Sequence, residues 1–209
     1  MFLPLLLKTD GLRCLLIGGG RVAARKLEML ARAGCRITVE APDLCPAVRA
    51  LVESGAADFV GREYRRGDCR GYGLVVAATE RREVNRAVFE EARDLGIPVN
   101  VVDDPELCTA IFPAAWRDGP LVLAVSTGGT APFLAAALRD RLAGQCSGMG
   151  AWAAAAGRFR QAVRKAVPDP QARRRLYRLF PPQGEAAGTP DSLELGEWLA
   201  WLDRIRARE

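Results

Sequence analysis

Residues Cys14 to Ala23, read as CLLIGGGRVA, join a short apolar run to a glycine-rich turn and then to a helical pattern. The spacing Gly18-x-Gly20-x-x-Ala23 in that setting is a dinucleotide-binding signature. Its first glycine permits the tight turn, its second lets backbone approach a pyrophosphate, and a small third residue lets helix and strand pack closely. Ala23, Leu27, Leu30, Ala31 and Gly34 follow with helical periodicity, and Gly34 suits a helix stop. The strand Arg36-Ile37-Thr38-Val39-Glu40 comes next and ends on a carboxylate about 20 residues beyond the glycines, where ribose hydroxyls are held. An ordinary strand-turn-helix is the alternative reading of the same residues.

This signature assigns Gly18, Gly20, Arg21 and Val22 to the phosphate turn. Glu40, Pro42 and Asp43 go to the adenosine side. A carboxylate at Glu40 accepts from a 2′-hydroxyl and repels a 2′-phosphate, which favours NAD over NADP. Arg21 offers a guanidinium to an anionic cofactor or substrate.

The alternation continues beyond Glu40. A helix is expected near Cys45 to Ser54, a strand at Phe59 and Val60, and a buried strand at Leu74 to Ala78. Thr79 stands at that strand's carboxyl end, where open α/β sheets bind ligands. Glu83 to Leu95 reads as a helix and Val99 to Val102 as a strand, ending on Asp103-Asp104-Pro105. Continuous apolar strands of this kind suit a parallel sheet covered on both faces. After Pro105 the grammar changes: Ala110-Ile111-Phe112 and Leu121 to Val125 flank the turn at residues 117–120 as an antiparallel pair. Ser126-Thr127-Gly128-Gly129-Thr130 then leads into a helix from about Ala131 to Ala143. Such a place binds anions, or is simply a capped helix start. The remainder is helical: Trp152 to Val167, Gln171 to Leu179, and a final helix carrying Leu195, Trp198, Leu199, Leu202 and Ile205 on one face.

The fold class is therefore α/β: a Rossmann-like parallel sheet over residues 1–110, a small α+β dimerisation segment over 111–148, and a C-terminal helical domain over 149–209. Phe2 to Leu7 is too short for a secretion signal and reads as an edge strand. Leu121 to Leu138 carries no charge, but its polar, glycine-rich middle argues against a membrane span. The six cysteines form no C-x-x-C pair and are read as reduced cytoplasmic thiols without a zinc site.

The chain contains no histidine, so acid–base chemistry falls to a carboxylate, Tyr, Lys or Cys. Its net charge of +5 is carried almost entirely by arginine, since lysine occurs only at Lys8, Lys26 and Lys165. Arginine's rigid fork suits carboxylate or phosphate, although a GC-rich genome writes arginine for lysine as well. No basic stripe interleaved with aromatics points to nucleic acid.

Taken in order, the motifs LLIGGGRVAARK, VVAAT followed by Asn85, NVVDDP, FPA and AVSTGGTAP resemble those of the precorrin-2 dehydrogenase family. These are stand-alone relatives of the N-terminal module of siroheme synthase, and some also act as sirohydrochlorin ferrochelatases. No methyltransferase module is expected beyond Glu209. The resemblance implies NAD-dependent oxidation of precorrin-2 to sirohydrochlorin. It also implies a cytoplasmic homodimer that exchanges elements between subunits, with Fe²⁺ as a further substrate where the chelatase activity is present. Within it, Asp103 takes the place of the catalytic aspartate, while Asp104 occupies a position not generally acidic. The family's serine-rich turn falls on Ser126, Thr127, Gly128 and Thr130, which with Asn100 are the expected substrate contacts. Thr127 keeps the hydroxyl of the serine found in some relatives. Asp103, without the resemblance, reads first as a turn residue before Pro105, and Arg117 is a further candidate contact. The rival from another class is a non-catalytic NAD-sensing regulatory module, which needs neither Asp103 nor the turn at 126–130.

Overall fold

The computed structural model describes residues 1–182 and 184–207. They divide into two compact units, Met1–Phe112 and Pro113–Glu209, each described by itself.

The first unit is a five-stranded parallel sheet in the order β3-β2-β1-β4-β5. Its strands are β1 (Arg13–Ile17), β2 (Arg36–Glu40), β3 (Asp58–Val60), β4 (Leu74–Ala77) and β5 (Val99–Val101). Alternate residues of one strand serve opposite faces. Cys14 and Leu16 of β1, with Val39 and Val76, pack on α1 (Arg21–Arg32) and α2 (Pro46–Glu53). Leu15 and Ile17, with Val75 and Val99, pack on α3 (Arg82–Asp94) through Val88 and Ala92. Both faces are thereby covered, which explains the unbroken apolar runs. The strand order reverses beside β1, whose neighbours are β2 and β4. The loops leaving β1 and β4 therefore open a crevice at the sheet's carboxyl edge.

The second unit pairs β6 (Ala114–Asp118) with β7 (Leu121–Val125) in antiparallel register, Trp116 opposite Leu123. The helix α4 (Pro132–Cys146) packs on both strands. The helices α5 (Met149–Ala166), α6 (Pro170–Tyr177) and α7 (Leu195–Arg206) follow. Trp152, Phe159, Trp198 and Trp201 are buried in one aromatic cluster, against which the partly buried Phe180 packs. Phe133, Leu134, Leu138 and Leu142 leave an apolar stripe exposed on α4.

Two elements differ from the sequence reading. Phe2 to Leu7 forms no strand; Pro4 lacks a donor, and Leu3, Leu5 and Leu6 stay exposed. Ala110-Ile111-Phe112 is not the partner of Leu121 to Val125. Its backbone is already committed, because Ala110 N–H donates to Val99 O at 3.0 Å and Ala110 O accepts from Asn100 Nδ2 at 3.0 Å. The pairing begins only after Pro113.

Among the described residues no helix is long and apolar enough to cross a membrane.

Candidate dinucleotide and catalytic site

The turn after β1 is shaped by contacts that admit no side chain. Gly18 has φ +124°, and a Cβ there would overlap the Ala78 carbonyl. A Cβ on Gly19 would overlap the carbonyl oxygen of Asp43, so the middle glycine is the one pressed against the chain after β2. Gly19 had no role in the sequence reading, although its place inside a run of three glycines was the available signal. Gly20 differs, because a Cβ there meets nothing within 4 Å. It caps α1, whose first turn has no acidic residue and no side-chain acceptor for its free amides. Arg21 and Val22 are exposed beside it. Open space in front of uncapped helix amides is what a pyrophosphate requires. The residues present therefore fit a dinucleotide.

Two backbone bonds fix the turn against β2: Gly18 N–H donates to Glu40 O at 2.9 Å, and Cys45 N–H donates to Gly19 O at 2.8 Å. Glu40 thus ends β2 beside the glycines, as its spacing requires, but its carboxyl points into the protein. It is 2% exposed, and its Oε1 accepts from Arg62 Nη1 at 2.5 Å. Arg62 also grips Asp68 through both nitrogens, at 2.7 and 2.8 Å. Burial, then the hydrogen bond and charge of Asp68, push the Glu40 carboxyl up to about 7 against the pull of Arg62. The hydrogen bond from Arg62 holds Asp68 down near 2. Arg62 and Asp68 lie 22 and 28 residues beyond Glu40, and no short-range pattern signals the cluster. Pro42 and Asp43 are exposed, and Asp43 has no side-chain partner among the described residues.

Across the crevice, Thr79 and Asn85 hold the loop between β4 and α3 in a reciprocal clasp. The Thr79 hydroxyl donates to Asn85 Oδ1 at 2.7 Å, and Asn85 Nδ2 donates back to Thr79 O at 3.0 Å. Asn85 lines an open cleft of about 730 Å³ together with Glu80, Arg82, Asp103, Asp104 and Glu106. Asp103 is the one non-glycine residue with positive φ, at +59°, among the described residues. Aspartate tolerates that region better than most residues, and such conformations gather at functional sites. The two consecutive acids differ in their partners. Asp104 accepts from Arg82 Nε at 3.3 Å and pairs with its Nη2 at 3.2 Å, whereas Asp103 is exposed with no ion pair or hydrogen bond among the described residues.

The turn is built from beneath by Cys108. Its Sγ lies 3.2 Å from both Val101 N and Val101 O and 3.3 Å from Asp104 O. Asn100 is 7% exposed and spends its amide on Ala110 O, so it braces the segment after Asp103.

In the second unit, the turn at 126–130 satisfies itself. Gly128 N–H donates to Ser126 Oγ at 3.1 Å, Thr130 Oγ1 donates to Thr127 O at 2.7 Å, and Ala131 N–H donates to Thr127 Oγ1 at 3.0 Å. Thr127 is partly buried by its capping role, while Ser126, Gly128 and Thr130 are exposed. Arg117 lies exposed on β6, opposite Val122.

A parallel sheet with its glycine turn at the strand-order reversal defines a dinucleotide-binding α/β protein. Consistent with this class, residues 5–114 match the family model described as "Putative NAD(P)-binding". Residues 118–145 match the sirohaem biosynthesis protein central model, and 148–192 the sirohaem synthase dimerisation region. The chain belongs to the family that this NAD(P)-binding model describes. It is 46% identical over 188 residues to siroheme synthase of Pseudomonas paraeruginosa, covering 89% of this chain and 40% of the relative. Against siroheme synthase of Methylococcus capsulatus it is 44% identical over 178 residues, covering 84% of this chain and 37% of the relative. The chain thus spans about 40% of the length of the curated relatives it matches. A solved structure, "SirC, precorrin-2 dehydrogenase", has the same fold, with a TM-score of 0.73 at 20% identity over 97% of this chain and 100% of that one.

Proposed function

We propose that the chain oxidises precorrin-2 to sirohydrochlorin with NAD⁺, releasing NADH and a proton. The observation that carries this reading is Asp103: a strained, unpaired carboxylate just past the carboxyl end of β5, lining an open cleft with Asn85 and Arg82. Its neighbour Asp104 is already engaged by Arg82.

When bound, the nicotinamide supplies the acceptor for the hydride. Asp103 takes the accompanying proton from the substrate carbon, and its freedom from ion pairs leaves both oxygens available. The amides of Gly20, Arg21 and Val22 hold the pyrophosphate. Glu40 is enclosed by Arg62, so we assign the adenosine ribose to Asp43, an exposed residue whose backbone carbonyl adjoins Gly19 and whose carboxylate would repel a 2′-phosphate. Thr79 and Asn85 shape the wall between the two halves of the crevice. The same Asp103 is the proposed acceptor of pyrrole protons in Fe²⁺ insertion, since a chain without histidine offers carboxylate there.

The exposed stripe on α4 supports a homodimer. The sequence reading gave dimerisation to residues 111–148, whereas the dimerisation model falls on 148–192. We assign the interface to elements of both. The turn at 126–130 is the proposed substrate contact of this unit, and the free thiols suit a cytoplasmic setting.

Purified protein should reduce NAD⁺ when given precorrin-2 and not when given buffer alone, as followed by NADH absorbance. Nucleotide binding without turnover would instead support the sensing module.

A further inference from the structure

Lys26 is a cation with no ion pair among the described residues. It lies on the second turn of α1, between the buried Ala24 and Leu27, and is itself partly buried. Its Nζ sits 4.5 Å from the centre of the Phe112 ring. Phe112 and Val102, the residue before Asp103, pack on the same core cluster as α1. This places Lys26 below the turn that carries Asp103. Among the described residues, no carboxylate comes within 4.0 Å of the ammonium.

That arrangement is unfavourable in the free protein. A desolvated ammonium loses hydration that an aromatic face restores only in part. Burial first, and then the guanidinium of Arg25, pull the Lys26 ammonium below its ordinary range. Cys108 and Asp103 act on it in the opposite sense, so the ammonium and the Asp103 turn share one corner.

A half-enclosed cation of this kind becomes favourable when a ligand brings the missing negative charge. We propose that Lys26 is an anion-binding residue of the Asp103 corner, with an anionic oxygen group of the bound ligands as its counter-ion. Two sources share that chemistry: a carboxylate of the tetrapyrrole and a phosphate of the dinucleotide. The proposal rests on the Asp103 cleft being the reaction site.

The test uses the full chain with Lys26→Met, which keeps the stem and removes the charge, and Lys26→Arg, which keeps the charge. Thermal melting confirms folding, and Lys26→Gln replaces the Met variant if that variant misfolds. Sirohydrochlorin binding is read by fluorescence at low and high salt, and NAD⁺ binding by calorimetry. The Met variant should weaken sirohydrochlorin binding about tenfold and flatten its salt dependence, with Arg restoring most of the affinity and NAD⁺ unaffected. The reverse pattern, a tenfold loss for NAD⁺ alone, makes the dinucleotide phosphate the counter-ion and equally supports an anion-binding role. Unchanged affinity for both ligands in a folded Met variant overturns the proposal, as does an Arg variant no better than Met. If the parent chain binds NAD⁺ but no tetrapyrrole, the functional reading fails separately, and the NAD⁺ arm alone decides the role of Lys26.

Discussion

Asp103 and Asp104 are consecutive in the chain, yet only Asp104 has a partner, its Oδ2 lying 3.2 Å from Arg82 Nη2. The unpaired member is the one held at positive φ. Asp103→Ala should lower precorrin-2 oxidation by roughly 10²–10⁴-fold, the range for losing a positioned acid or base, while NAD⁺ affinity persists. Asp104→Ala should do much less. Steady-state NADH production by both variants checks this, and collapse in Asp104→Ala with near-normal Asp103→Ala would move the role by one residue.

Gly19 and Gly20 of the turn should fail differently. Gly19→Ala forces a Cβ onto the Asp43 carbonyl, so it should destabilise the fold by about 1–3 kcal/mol in denaturant titrations. A Cβ on Gly20 meets nothing within 4 Å, so Gly20→Asp should leave the fold intact. Its charge would lie in front of the α1 amides, so NAD⁺ binding by calorimetry should be lost. Unchanged binding would mean that the cofactor site is misplaced.

Asp43 and Glu40 should separate by nucleotide affinity. Asp43→Ala is expected to weaken NAD⁺ about tenfold, the effect of one charge-assisted hydrogen bond, and to narrow discrimination against NADP⁺. Glu40→Gln should leave both affinities near those of the parent, because Glu40 is turned toward Arg62. Equal losses in the two variants would return the ribose to Glu40.

The Glu40 cluster also makes a stability prediction. A carboxyl raised from 4.5 to about 7 binds its proton more tightly in the folded state. Its contribution is therefore full below pH 4.5 and is lost as pH rises to about 7. Asp68, held near 2, acts oppositely: its contribution is present above its ordinary value of 3.8 and is lost as pH falls through about 2. Glu40→Gln should flatten the loss between pH 4.5 and 7, by at most about 3 kcal/mol. Urea melts across that range measure it, and parallel curves for parent and variant would rule it out.

The α4 stripe predicts the assembly. Leu138→Asp would bury a charge in the proposed two-fold interface and should yield monomers in sedimentation at concentrations where the parent is dimeric. A parent chain that is a stable, active monomer would exclude the interface.

The sheet was legible because both of its faces are covered, so Leu15 and Leu16 are both buried and the strand reads as a continuous apolar run. The glycine turn was legible because its geometry is local. The inward turn of Glu40 was not, since it depends on Arg62 and Asp68, brought beside β2 only by the path through β3. Asp103 could be placed at a strand end, but its left-handed backbone is set by tertiary contacts such as the Cys108 grip on Val101. The hairpin shifted because Asn100 and Val99 claim Ala110 across ten or eleven residues, a competition invisible to strand periodicity.

The backbone at Asp103 also bears on how such a chain would decay. Position 103 favours glycine, so Asp103→Gly would relieve strain and fold at least as well as the parent. Most inactivating substitutions betray themselves through instability and removal by proteases. If Asp103 has the proposed role, a chain silenced at this residue would instead persist at full abundance, still able to hold nucleotide and to join the proposed dimer.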